Sequence, residues 1–300
     1  MGCEAAASVE TAHQRSGQIL LMITAMGWGL NWAVLKFVLQ DWPPLFARGT
    51  AGLLGAIGLA ALAWLRSERF AVPRDARLRL AASAGINVFA WMGFTALSLN
   101  WLKVSEGALI AYSMPIWAVL IAWPLLGERP NRQSLLALAL GIAGIAVLMG
   151  GPDLAGGKWP GILFALAAAM LFALGTVTAR KPIPMPPTVL VAWQVALGCL
   201  PMVILGLLLE QPRVLALSAP GLAGLVYMAV GPMALCYLTW FGALRRLPAS
   251  AAATGMLLVP IIGTLAAALL LGDSLGVREL VAMALTLTGV GLALRRASRS

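Results

Sequence analysis

Ten runs of about 20 predominantly apolar residues, parted by short polar breaks, restrict this chain to few folds. They lie near 17–39, 43–65, 78–100, 105–126, 133–150, 160–180, 187–209, 219–243, 249–271 and 277–294. In hydrocarbon every backbone N–H and C=O must find its partner within the chain, so runs of this length are expected to cross the bilayer as helices. Their ends carry helix breakers: Trp42-Pro43-Pro44, Gly150-Gly151-Pro152, Pro182 to Pro187 and Leu247-Pro248. Every connection is short except Arg66 to Arg77, which leaves no room for an inserted soluble domain. The composition agrees, with 61% hydrophobic and 11% charged residues, where a soluble domain carries about a quarter charged. The expected fold class is an all-α integral membrane protein of ten transmembrane helices, with the lipid bilayer as its first partner.

The net charge of +10 does not point to nucleic acid, because the basic residues fall between the apolar runs and share no face. Their distribution orients the chain instead. With a cytoplasmic N-terminus, the inner segments hold Arg15; Arg66, Arg69, Arg74, Arg77 and Arg79; Arg129 and Arg132; Arg180 and Lys181; Arg245 and Arg246; and Arg295, Arg296 and Arg299. The outer segments hold only Lys103, Lys158, Arg213 and Arg278. By the positive-inside rule both termini are expected in the cytoplasm, with Asp153 and Glu210 outside. Residues 1–16 are polar, hold the sole histidine, His13, and lack the basic-then-apolar order of a cleavable signal. The first span is therefore expected to do the targeting.

A second regularity divides the chain. Val104 to Pro130, shifted by 145 positions, lies on Ala249 onward: Ser105 on Ser250, Ala108 on Ala253, Pro115 on Pro260, Ile116 on Ile261, Leu126-Gly127 on Leu271-Gly272, and Glu128 on Asp273. The register continues through Ala139-Leu140 on Ala284-Leu285 and Gly144 on Gly289. Chance matches of Ala and Leu do not also align Pro, Gly and an acid, so the chain is an internal duplication. The expected division is a leader at 1–16, a five-helix repeat at 17–150, a linker at 151–159, a second repeat at 160–295 and a tail at 296–300. Five spans per half force the second repeat into the membrane upside down, and the loop charges reverse accordingly. Inverted repeats of this kind are a construction of secondary transporters, whose substrate sits near the midplane between the halves.

The residues inside the spans say what such a site could hold. Pro115 and Pro260, each about ten residues into its span, remove a helical hydrogen bond and crowd the carbonyls of Ala111 and Met256. Such kinks are often packing features, but a pair related by the repeat is a candidate for hinges at a central cavity. No Asp or Glu falls in the middle third of a span, the nearest being Glu106, Glu128 and Asp273, so no buried carboxylate for ion coupling is expected. With no intramembrane His, and with Cys3, Cys199 and Cys236 far apart, there is no expected metal, disulfide, cofactor or enzymatic chemistry.

Trp42, Trp64, Trp101, Trp123 and Trp159 lie near span ends, where an aromatic belt is expected. Trp28, Trp32, Trp91, Trp117, Trp193 and Trp240 lie deeper, among Asn31, Asn87, Thr95, Tyr112, Ser113, Thr176, Gln194, Tyr227, Tyr237 and Thr254. Any one such polar group is commonly a hydrogen bond between helices. As a set they would line a large neutral pocket suited to an amphipathic organic molecule. The cavity candidates are Trp28, Asn31, Trp32, Asn87, Trp91, Tyr112, Ser113, Trp117, Thr176, Trp193, Gln194, Tyr237, Trp240 and Thr254. Lys36 and Arg48, toward the outer ends of spans one and two, are expected to snorkel as interfacial anchors, or else to attract an anion at the outer mouth.

Trp28-Gly29-Leu30-Asn31-Trp32 followed by Lys36, the Pro44 to Arg48 opening of span two, and Pro115 to Gly127-Glu128 with its copy at Pro260 to Gly272-Asp273 resemble the drug/metabolite transporter superfamily. The likeness is to its ten-helix, two-repeat EamA-type branch and covers residues 17 to 295; in the second half Leu174-Gly175-Thr176 stands where the first has its Trp-Gly pattern. The resemblance implies a central cavity built by both repeats. It further implies export of amino acids or similar small metabolites, aromatic or bulky ones included, across the bacterial inner membrane by alternating access; the oligomeric state is left open by the sequence, with a monomer compatible. A broad exporter of toxic compounds is the rival within transport. A scaffold or a membrane enzyme are the rivals outside it.

Overall fold

The computed structural model describes residues 2–127, 129–130, 132–149, 157–178, 183–247 and 255–297, and among these every regular element is helical. Glu128, Asp153, Arg180, Lys181, Pro182, Pro248 and Thr254, all singled out above, lie outside the described residues. The first repeat holds α1 (Gly2–Val38), α2 (Pro44–Leu65), α3 (Arg77–Ser83) running through a π-helical stretch (Ala84–Gly93) into α4 (Phe94–Ser98), α5 (Val104–Ala111), α6 (Met114–Leu126) and α7 (Arg132–Met149). The second holds α8 (Trp159–Thr178), α9 (Pro187–Leu205) ending in a π turn (Gly206–Glu210), α10 (Ala219–Val230), a π stretch (Gly231–Leu235), α11 (Cys236–Leu244), α12 (Leu258–Leu271) and α13 (Val277–Ala297). Helix α1 continues back through the polar leader instead of starting at residue 17.

Seven helices among the described residues are long and apolar enough to cross a bilayer: His13–Val38, Pro44–Leu65, Arg74–Ser98, Val104–Leu126, Trp159–Thr178, Pro187–Glu210 and Ala219–Leu244. The apolar stretches Leu135–Val147 and Leu258–Leu271 are shorter. Their outer faces carry large apolar side chains such as Ile57, Leu78, Leu208 and Leu269, with exposures of 66%, 82%, 68% and 84%. Water would not tolerate such a surface, whereas lipid does. The chain is a multi-pass membrane protein.

The two repeats pair helix by helix, and their packing follows the duplication. Helix α2 lies against α9, its equivalent, with Phe46 on Gly206, Gly49 on Val203 and Gly52 on Cys199. Numbers rise on one helix as they fall on the other, so these equivalents run antiparallel. Helices α7 and α13 do the same. Gln133 Nε2 donates to the Leu292 carbonyl at 3.0 Å. A Cβ on Gly144 would come 2.9 Å from the Ala282 carbonyl, and one on Gly289 would come 2.6 Å from that of Ala137. Ala137 and Ala282 are related by the same 145-residue shift as Gly144 and Gly289, so the two contacts are one contact made twice. The other pairings also exchange: α1 packs on α12 and α11, while α8 packs on α6 and the π stretch of the third span. Small residues at these crossings let backbones approach closely, which is how helices gain packing energy in a solvent as apolar as themselves.

The paired prolines do more than kink their helices. Helix α5 stops at Ala111, a turn follows at Tyr112–Ser113, and α6 restarts at Met114 with Pro115 in its first turn; α12 likewise starts after a turn at Met256–Leu257, with Pro260 in its first turn. The first turn of a helix has no intrahelical acceptors for its N–H groups, so proline costs nothing there. Both helices then end on a left-handed glycine, Gly127 at φ 72° and Gly272 at φ 70°, a conformation that a Cβ disfavours.

Candidate functional site

Both breaks and both π stretches of the third and eighth spans face one central cavity of about 470 Å³. Irregular backbone at membrane depth is tolerated only where protein or a cavity surrounds it, and wide π turns recur at functional positions. The first repeat contributes Trp28, Asn31, Trp32 and Leu35 of α1, Arg48 of α2, Asn87, Val88, Trp91 and Met92 of the π stretch, Thr95, Tyr112, Met114 and Pro115. The second contributes Phe172 and Thr176 of α8, Pro232 and Met233, Tyr237 and Trp240 of α11, Met256, Leu257 and Val290.

The walls are largely aromatic. Trp28 meets the Tyr237 ring edge-on with centroids 5.5 Å apart and Trp240 at 6.0 Å, and its indole N–H donates to the Pro232 carbonyl at 3.1 Å. Trp91 contacts Tyr112 at 5.8 Å and Phe172 at 5.0 Å, while Trp32 lies 6.3 Å from Tyr112. One polar side is Asn87, whose amide donates to Ser83 Oγ at 3.1 Å.

The other polar feature is a charge. Arg48 is buried, with 6% of its surface exposed, and so is Asn31 beside it. With the Asn31 amide turned so that its oxygen faces the guanidinium, that oxygen accepts from Arg48 Nη1 at 2.8 Å and Nη2 at 3.2 Å. Arg48 Nε has no partner, and no carboxylate lies within ion-pair distance of this guanidinium among the described residues. The lining holds no Asp or Glu either. The cavity therefore carries one positive charge that no described residue neutralises. Taking a guanidinium out of water without a counter-ion costs several kcal/mol.

Arg48 is the main correction to the sequence reading. Instead of reaching an interface, its side chain is buried and lines the cavity; one turn into α2, its neighbour Gly49 abuts Val203 and Met202 of α9. A cation flanked by small residues just after a helix-starting proline was the available signal. Lys36 donates its ammonium to the Leu99 carbonyl and so joins α1 to the end of the third span. Trp42, expected in a belt, is 6% exposed and packs on Phe46.

Trp28, Asn31, Trp32, Asn87, Trp91, Tyr112, Thr176, Tyr237 and Trp240 line the cavity, as does Pro115. Five other candidates do not. Ser113 is fully buried, donates to the Ile110 carbonyl and receives the Trp117 indole N–H at 3.0 Å, so both serve the helix break. Trp193 is 37% exposed and donates to the Phe70 carbonyl. Gln194 donates to Ser83 Oγ at 2.8 Å and so supports Asn87 from behind. Pro260 packs inside α12.

Beyond Leu35 and Thr95 the bundle is closed by charges from both repeats. Glu106, 3% exposed, accepts from the Lys103 backbone N–H at 2.9 Å and from Lys158 Nζ at 3.0 Å, with Arg278 at 3.7 Å. Arg278 also reaches Glu279, 6% exposed, at 3.4 Å, and Lys103 Nζ donates to Ser274 Oγ. These buried carboxylates stand at helix starts, Glu106 in the first turn of α5 and Glu279 in that of α13, and neither lines the cavity. Their partners are Lys103, Lys158 and Arg278, the basic residues expected outside. Away from this cluster the lining includes Thr176 near the end of α8, Leu257 just before α12, and Val290 of α13.

Comparison with known proteins fits this architecture. The EamA-like transporter family matches residues 15–150 and again 159–295, one copy on each repeat. The chain belongs to this family. This EamA-like transporter is 28% identical over 275 residues to the uncharacterized transporter YvbV of Bacillus subtilis, covering 91% of this chain and 90% of that one. It is 27% identical over 303 residues to a probable amino-acid metabolite efflux pump of Salmonella typhimurium, covering 95% and 98%. It is also 27% identical over 214 residues to the uncharacterized inner membrane transporter YedA of Escherichia coli K12, covering 69% and 66%. A solved crystal structure, 21% identical, matches with a TM-score of 0.66 over 95% of this chain and 98% of its own, a likeness of fold alone.

Proposed function

We propose that this EamA-like transporter exports small organic metabolites, amino acids with aromatic or other bulky side chains foremost, across the bacterial inner membrane by alternating access. The observation that carries this reading is the central cavity, walled by equivalent segments of both antiparallel repeats and lined by aromatic rings with a few polar groups. Ligand sites of this size and character suit amphipathic molecules. The similarity to a probable amino-acid metabolite efflux pump supports the substrate class. In this reading ten helices span the bilayer with both termini cytoplasmic, the Glu106 cluster closes the outer side, and the cavity is reached from the inside. A cationic-drug exporter fits less well, because an unpaired guanidinium repels a cation.

The test is flux in proteoliposomes holding the purified chain, with a panel of radiolabelled amino acids and a cationic dye. Saturable amino-acid flux that unlabelled aromatic amino acids inhibit is the expected result. Dye flux alone, driven by a proton gradient, would replace this reading with drug export, and no flux of any solute would leave a scaffold.

A further inference from the structure

Arg48 is the one cavity feature that the transport reading leaves unexplained. A buried guanidinium without a counter-ion is retained against a large solvation cost, and an arginine presents its donors in a planar fork that matches a carboxylate. Asn31 accepts from both Nη atoms and so fixes the plane of the fork, while the Nε–H has no protein acceptor. An asparagine oxygen orients the charge without cancelling it, as a carboxylate there would. The titratable groups that interact electrostatically with the guanidinium are Cys199, Tyr237 and Tyr112, none of them an anion at neutral pH. Tyr112 and Tyr237 are in turn packed edge-on by Trp91 and Trp28, so flat apolar surface begins directly beside the charge.

We propose that Arg48, oriented by Asn31, is the receptor for the carboxylate of the transported molecule, and that the cavity selects organic monocarboxylates with a flat apolar body. An α-ammonium group is accommodated but not required, because no lining side chain is an acid that would pair with it. Amino acids and their deaminated analogues then share one site. Binding completes the ion pair that no described residue supplies and brings the loaded cavity to neutrality with a monoanion, whereas a cation of the same shape doubles the buried charge.

This inference rests on the transport reading, and ligand binding separates the two. The full chain in detergent is titrated by tryptophan fluorescence with 3-phenylpropionate, phenylalanine, phenethylamine and methyl 3-phenylpropionate. Expected is binding of 3-phenylpropionate at least as tight as that of phenylalanine, with the amine and the ester at least tenfold weaker. Arg48→Gln should weaken the two carboxylates at least tenfold and leave the ester unchanged, with Arg48→Lys intermediate because an ammonium lacks the fork. Amine or ester binding as tight as the acid in the unmodified protein overturns the proposal, and that comparison stands even where Arg48→Gln fails to fold. A folded Arg48→Gln protein with unchanged acid affinity also overturns it. Charge-selective binding with no flux in proteoliposomes keeps the carboxylate site and removes transport; amino-acid flux with no preference for the acid over the amine does the reverse.

Discussion

Glu106 Oε1 lies 3.0 Å from Lys158 Nζ, which ties the start of α5 in the first repeat to the residue preceding α8 in the second. Glu106 is almost fully buried, while Lys158 keeps some contact with solvent. Replacing Glu106 by Gln preserves shape and removes the charge that Lys158 and Arg278 share. The expected cost is about 1–3 kcal/mol, the penalty for leaving a buried polar partner imperfectly satisfied. Thermal melting in detergent checks it. If this cluster closes the outer side, a cysteine probe at Leu35 should also become more reactive to outside reagents in Glu106→Gln.

Asn31→Asp would place a carboxylate against Arg48 and neutralise it from within. The melting temperature should hold or rise, because a close buried ion pair replaces an unpaired cation. Affinity for carboxylate ligands should nevertheless fall at least tenfold, or about 1.4 kcal/mol. Fluorescence titration beside a melting curve reads both, and a fall in stability with unchanged affinity would refute the assigned role of Asn31.

Gly144→Leu and Gly289→Leu should be equally harmful, since each would drive a side chain into the same kind of backbone contact on α13 or α7. Overpacking of this sort costs about 1–3 kcal/mol. The double variant should lose more than either single one without exceeding their sum, as the two sites share one helix pair. Melting of the four proteins forms the cycle.

Pro115→Ala and Pro260→Ala restore a backbone donor beside breaks that both border the cavity. Initial transport rate per folded protein should fall several-fold in at least one of them, with the melting temperature little changed, because a first helical turn offers the new N–H no intrahelical acceptor. Rates that track melting temperature would mark the prolines as folding residues only.

A reporter fused after Ser300 and another inserted between Arg66 and Arg79 should both be active only on the cytoplasmic side, given the excess of basic residues in those segments. Labelling of a cysteine at Glu210 should succeed from the periplasm only after α2 is disturbed, because its carboxylate accepts from the Leu45 and Phe46 backbone N–H groups at 3.1 and 3.0 Å.

The duplication was legible in the linear chain because proline and glycine act locally: Pro115, Pro260, Gly127 and Gly272 set backbone geometry wherever they stand, so matching residues made matching breaks and matching left-handed caps. The aromatic composition of the cavity was legible for a related reason, since Trp28, Trp91, Tyr112 and Trp240 lie at depths where a lipid-facing role is less common. What a chain of numbers does not carry is azimuth. Depth places Trp193 and Trp117 as well as Trp91, but only packing shows that Trp91 faces inward while Trp193 faces out. The same holds for charge. Arg48 and Lys36 look alike as cations near span ends, and tertiary contacts alone separate them, sending Lys36 to a carbonyl of the third span and Arg48 into the cavity beside Asn31. Position along a helix follows from counting residues, whereas the direction of a side chain depends on which neighbour occupies the space around it.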